Sequence, residues 1–215
     1  SAVQNHQKNN LAEAIDLYKQ LLKADPHNSI VNYNLALAFD KNNEIQKAIN
    51  HYKEAIKIDP TYLSAHFNLG IAFRELGDLE KEISCYEKAI NIDPNHSKAI
   101  NNLGLAFKKL GNYQKAISYF EKATTIDPNF AEAHNNLGTI LSELGESQKA
   151  IDSFEKAIKI NPELEFTNNN LGKIYKEIGD QVKSVEYFQK SFVNRSKIDF
   201  DEVKNGEKKL QPAMT

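Results

Sequence analysis

An unbroken 34-residue period is the strongest constraint on this 215-residue chain: Asp25-Pro26, Asp59-Pro60, Asp93-Pro94, Asp127-Pro128 and Asn161-Pro162 recur without one slip. Chance does not keep such a register. A chain built on it stacks equivalent units, each contacting its neighbours, instead of closing around one central core. Aligned on the prolines, residues 29–62, 63–96, 97–130, 131–164 and 165–198 form full units, and residues 1–28 a partial one. Residues 199–215 leave the register. Phe200, Val203 and Leu210 there suit a short capping helix over the last unit, and a linker to a further domain is the alternative.

Each unit carries two helical periodicities separated by a turn. SAHFNLGIAFREL sets Ala65, Leu69, Ala72, Phe73 and Leu76 at three- and four-residue steps, one apolar face. Gly77-Asp78, Gly111-Asn112, Gly145-Glu146 and Gly179-Asp180 then end the first helix, because glycine takes the left-handed position past a helix terminus without strain. YQKAISYFEKATTI repeats the pattern with Ala116, Ile117, Phe120, Ala123 and Thr124. The following proline stops it, since proline cannot extend a helix and disfavours helical geometry in the residue before it. Every unit is therefore expected to be a pair of antiparallel helices.

Small and large residues alternate at fixed places. Position 8 holds Ala36, Gly70, Gly104, Gly138 and Gly172, and position 24 holds Tyr52, Tyr86, Phe120, Phe154 and Phe188. Glycine inside a helix costs about 1 kcal/mol relative to alanine, so its repeated use implies close helix approach. Alanine at positions 20 and 27, leucine at 7 and Phe39, Phe73, Phe107, Leu141 and Tyr175 at 11 complete an interdigitating set.

This pattern resembles the tetratricopeptide repeat, over residues 1 to 198. The usual tryptophan at position 4 is replaced by Asn32, His66, Ile100, His134 and Asn168, and Glu82 and Ser184 stand where alanine is usual. The last unit, with Ser191 and Ser196 at signature positions, reads as frayed or adapted to capping. The resemblance implies an all-α, right-handed superhelix whose first helices line a concave groove.

Composition narrows the function. Lys and Arg number 27 against 29 Asp and Glu, which gives no strong pull toward nucleic acid or an anionic membrane. No apolar run approaches the roughly 20 residues that span a bilayer, and SAVQNHQKNN has no signal-like stretch. With the single Cys85 this suggests a reducing, cytoplasmic setting. A start without Met suggests a chain cut from something longer. His27 and His96 fall in turns, and His66 and His134 lie two units apart. No nucleotide-loop, HExxH or nucleophile-elbow motif occurs. Cys85 sits at position 23, among His51, Tyr119, Ser153 and Tyr187, and reads as a surface residue of a helix. No enzyme activity, metal or cofactor is expected.

Position 6 is asparagine in every full unit: Asn34, Asn68, Asn102, Asn136 and Asn170. Asparagine is a poor helix former. One explanation is duplication in a chain with 24 asparagines. The other is function. In the family resembled, position 6 faces the groove, and the row is similar to the asparagine ladder of the O-GlcNAc transferase superhelix, which holds a peptide by its backbone. A carboxamide both donates and accepts, so it pairs with any peptide group. Tyr33, Phe67, Leu37 and Ile71, at positions 5 and 9, add apolar character to the amino-terminal half of the groove, as anchor pocket or as partial packing. The chaperone clamp of the family needs Lys at position 5 and Asn at position 9. Both are missing, which disfavours the tails of Hsp70 and Hsp90. The chain reads as a non-catalytic scaffold for a protein or extended peptide. The alternative is the substrate-recruiting arm of a larger modifying enzyme, for example a glycosyltransferase. Weak self-association through the solenoid ends is a third expectation.

Overall fold

The computed structural model describes residues 10–164 and 166–192. Among them the chain is all-α, with no strand. Its helices are α1 (Leu11–Ala24), α2 (Ser29–Lys41), α3 (Ile45–Ile58), α4 (Leu63–Glu75), α5 (Leu79–Ile92), α6 (Ser97–Lys109), α7 (Tyr113–Ile126), α8 (Ala131–Glu143), α9 (Ser147–Ile160), α10 (Thr167–Glu177) and α11, residues 181–192. Even-numbered helices are the first of each repeat and odd-numbered ones the second. Consecutive helices pack within two compact units, Ser1–Leu110 and Gly111–Thr215. The expected cap of residues 199–215 lies outside the described residues.

Both turns of the repeat are closed by local hydrogen bonds. Past the first helix, Gly77, Gly111, Gly145 and Gly179 adopt left-handed φ values between 74° and 88°. The second repeat lacks that glycine and uses Asn43, at φ 63°. Asparagine tolerates this region better than other side-chain-bearing residues. The next N–H then reaches back across the turn, Glu44 to Phe39 O at 2.8 Å and Asp78 to Phe73 O at 3.0 Å. Leu76, expected on the apolar face, instead caps α4 and is exposed. Between repeats the aspartate matters as much as its proline. Asp59 Oδ1 accepts from Thr61 N at 2.9 Å, Asp93 from Asn95 and Asp127 from Asn129, both at 3.0 Å. These are Asx turns, which the side chain closes on its own backbone.

Packing confirms the small-to-large pairing. A Cβ built on Gly70 would lie 2.6 Å from Cε1 of Tyr86, and one on Gly138 or Gly172 would lie 2.8 Å from the ring of Phe154 or Phe188. The rings rest directly on helix backbone. Lysines cover the position-11 rings: Lys19 and Lys47 stand 5.7 and 5.3 Å from Phe39, Lys53 and Lys81 5.7 and 5.4 Å from Phe73. The last first-helix is irregular. It starts two positions late, after Phe166 at φ 65°, where a side chain is strained.

Position 20 admits two polar residues with different success. Ser184 Oγ donates to Gly172 O at 2.9 Å. Glu82 is 1% exposed, its Oε1 has no partner, and Lys109 Nζ stands 4.0 Å from its other oxygen. Burial raises its pKa, with Lys109 and Arg74 opposing.

Two stability predictions follow from these contacts. Gly138→Ala should lower the melting temperature: alanine's helix advantage of about 1 kcal/mol is outweighed by overpacking against Phe154, about 1–3 kcal/mol. A rise on thermal melting would refute the close approach. Glu82→Ala, which installs the usual residue of position 20, should stabilise at pH 7 by about 0.5–2 kcal/mol. A carboxyl with a raised folded pKa loses stability as pH rises through that value, so the gain should shrink on acidification. A gain that is the same at pH 4 and pH 7 would contradict this.

Candidate functional site

The position-6 asparagines lie on the first helices, one per repeat, and all are half-buried. In the first compact unit these are Asn34 on α2, Asn68 on α4 and Asn102 on α6; in the second, Asn136 on α8 and Asn170 on α10. Asn68 Nδ2 donates to Tyr33 Oη at 2.8 Å, and Asn102 Nδ2 to Tyr86 Oη at 3.4 Å. A carboxamide has two N–H donors and a carbonyl oxygen. Each of these two therefore uses one donor to fix its orientation and keeps a second N–H and the oxygen. The contact from position 5 of one repeat to position 6 of the next shows that both positions share one face of α2 and α4.

The position-5 rings are wedged in place. Tyr33 lies 4.9 Å from the ring of Tyr62 and 5.9 Å from that of Tyr52, and Phe67 repeats this with His96 and Tyr86 at 4.9 and 5.9 Å. Tyr33 and Leu37 pack partly against the core cluster of Leu35, Phe39 and Tyr52, and all four of Tyr33, Leu37, Phe67 and Ile71 stay half-buried. Partial packing thus accounts for some of the apolar character read from the sequence, while one side of each residue remains accessible. Further along, position 5 turns polar: Asn101 is buried, and Asn135 Oδ1 accepts from Thr167 Oγ1 at 2.9 Å.

Four histidines and Cys85 are occupied structurally. His66 and His134 are buried, and their Nε2 atoms donate to Pro60 O at 3.0 Å and Pro128 O at 3.1 Å, tying each first helix to the preceding turn. Burial lowers the His134 pKa, so the neutral donor is favoured. His51 donates Nδ1–H to Asn32 Oδ1 at 3.0 Å, and His96 Nδ1 accepts from Ala99 N at the same distance, capping α6. Cys85, expected at the surface, is buried, and burial pushes its thiol up to about 11. Position 23 looks polar in sequence because its other occupants are amphipathic or small. Among the described residues no group of His, Cys, Asp or Glu is arranged to hold a metal ion, and no helix is long and apolar enough to cross a membrane. A shallow cavity of about 800 Å³ between α7 and α9 presents Lys156 and Lys159, with the Thr124 and Thr125 hydroxyls already spent on Glu121 O.

Models described as tetratricopeptide repeat or TPR repeat match residues 6–50, 41–76, 72–111, 97–130, 131–164 and 167–192. Similar solved structures include MamA, 26% identical over 77% of this chain and 96% of that one, with a TM-score of 0.70. The pilF protein of Pseudomonas aeruginosa is 19% identical over 95% of this chain and 94% of its own, at TM-score 0.79. YrrB, described as a TPR protein with an unusual peptide-binding site, is 20% identical over 83% of this chain and 92% of its own, at 0.67. No curated protein sequence matches the chain significantly.

The buried, high-pKa thiol has a simple consequence, because the thiolate is the reactive form. Native protein at pH 8 should react with iodoacetamide at least tenfold more slowly than the same chain in denaturant. Equal rates by mass spectrometry would place Cys85 at the surface.

Proposed function

Because the chain belongs to the tetratricopeptide repeat family, we propose that it is a non-catalytic scaffold that holds an extended peptide segment of a partner protein by its main chain. The observation that carries this reading is the row of half-buried carboxamides at position 6, two of them oriented by tyrosine hydroxyls with a donor and an acceptor left over. Asn34 and Asn170 make no side-chain hydrogen bond among the described residues. Main-chain N–H and C=O groups require partners of this two-way kind whatever side chains accompany them. Packed first helices stand roughly 10 Å apart, and an extended peptide advances about 3.3 Å per residue. Within each compact unit, successive asparagines therefore meet about every third peptide group. The engaged histidines and the buried Cys85 leave these side chains to structure, which favours binding over catalysis.

Each neutral hydrogen bond contributes about 0.5–1.5 kcal/mol net, so the effect of removing several is expected to accumulate. An array of random twelve-residue peptides, capped at both ends, tests this. Asn34, Asn68 and Asn102 replaced together by Ala should weaken binding of the best-bound peptides by one or more orders of magnitude. Alanine favours the helix, so the melt should shift by no more than a few degrees. Undiminished binding by the triple variant would make the row a copied feature without function.

A further inference from the structure

The amino-terminal compact unit contains a stranded hydroxyl. Tyr52 and Tyr86 occupy position 24 of successive repeats, and both are wholly buried. Tyr86 Oη accepts from Asn102, the position-6 residue of the following repeat. The equivalent donor for Tyr52 is Asn68, but Asn68 gives its Nδ2–H to Tyr33 instead. The cause is one residue type. Position 5 is a tyrosine in one repeat and Phe67 in the next, and Phe67 has no hydroxyl to compete for the carboxamide. Tyr52 Oη is left without a partner.

Two carboxylates lie within electrostatic reach of Tyr52, the half-buried Asp40 and the exposed Glu75. The charges of Asp40, at the end of α2, and Glu75, at the end of α4, both act on Tyr52, as does Tyr33. Burial and then the charge of Glu75 raise the Asp40 pKa, and no cation acts to lower it. Neither carboxylate forms an ion pair among the described residues. Arg74, beside Glu75 in sequence, acts on Glu82 and Tyr86 instead. One helical turn before the carboxylates, Leu37 and Ile71 sit half-buried on the same helix faces, three residues from Asp40 and four from Glu75. The place combines an apolar approach, two carboxylates without an ion pair and an unused buried hydroxyl.

We propose that this end of the first-helix face is a subsite for a basic side chain, lysine or arginine, of the bound peptide. The subsite rests on the peptide-binding reading above and adds a chemical preference to it. The methylene stem of such a side chain lies on Leu37 and Ile71, which accept apolar stems with a charged head. Its N–H groups donate to the Asp40 and Glu75 carboxylates, and charge-assisted bonds of this kind are stronger than neutral ones. The Tyr52 hydroxyl serves the same cluster from beneath, by donating to a carboxylate. A partner chosen this way carries a basic residue at one place and is otherwise read by its main chain.

Capped peptides decide the matter, since acetylation removes the terminal amine as a competing cation. Peptides captured by the parent protein from the random array should be enriched in lysine and arginine. A captured lysine peptide should bind about tenfold more tightly than its norleucine analogue. In Asp40→Asn/Glu75→Gln that ratio should fall to near one, and in Tyr52→Phe, which keeps both carboxylates, it should fall by a smaller factor. Removing charge without an ion pair, or a buried hydroxyl without a partner, should not lower the melting temperature, so folding is checked by the same melt. Capture of peptides without basic enrichment, or a lysine preference that survives in the double variant, overturns the subsite and leaves the main-chain reading standing. Capture of no peptide by the parent overturns both.

Discussion

The missing Cβ at position 8 is the constraint on which the rest of this architecture depends. With glycine there, the position-24 ring lies against the backbone of the first helix, as Tyr86 does on Gly70, Phe154 on Gly138 and Phe188 on Gly172. Close approach of this kind recovers dispersion and burial that a looser pair would lose. It also sets the rotation of each first helix about its axis. Once position 8 faces the ring, positions 5, 6 and 9 must turn to the neighbouring sector, and the asparagines appear on one face because the glycines appear on another. The second repeat shows the tolerance of the scheme: Ala36 replaces glycine, and Tyr52 is still wholly buried.

Polar groups complete the repeat. Glycine or Asn43 closes the turn inside a unit, the aspartate closes the turn between units, and His66 and His134 bond the preceding proline carbonyl. Against that background the unpaired atoms are informative. Tyr52 Oη, Glu82 Oε1, His66 Nδ1 and Asn168 Oδ1 are buried without a partner. Unpaired buried polar atoms are costly. Two of them arise from departures within the repeat: glutamate where alanine is usual, and Tyr33, which captures Asn68. The first reads as a plain liability. The second lies within reach of the Asp40 and Glu75 charges, where the proposed basic side chain would act.

Much of this was legible in the sequence. The period, both turns, the antiparallel pairing and the small-to-large contacts follow from proline, glycine and aromatic spacing, because each rests on a local steric rule. The matches over residues 6–164 and 167–192 agree with that reading. What escaped depends on which of several equivalent partners a side chain takes. Cys85 shares its position with histidine, serine and tyrosine, and its burial follows from helix packing that single residues do not report. Two-unit separation already sets the position-4 histidines aside as site candidates, and only the structure shows the proline carbonyls that they bond. The switch of Asn68 from Tyr52 to Tyr33 needs three-dimensional proximity, although its cause, tyrosine against phenylalanine at position 5, was visible as a sequence difference.

The central claim is that position-6 carboxamides read a peptide's main chain, and N-methylation tests it most directly. Methylating alternate peptide nitrogens of a bound peptide removes main-chain N–H donors and keeps every side chain. The account predicts at least a tenfold loss of affinity on methylating peptide groups that meet the asparagines, while replacing neutral side chains at the same residues changes it little. Binding that survives methylation but is lost when those side chains are exchanged would contradict it.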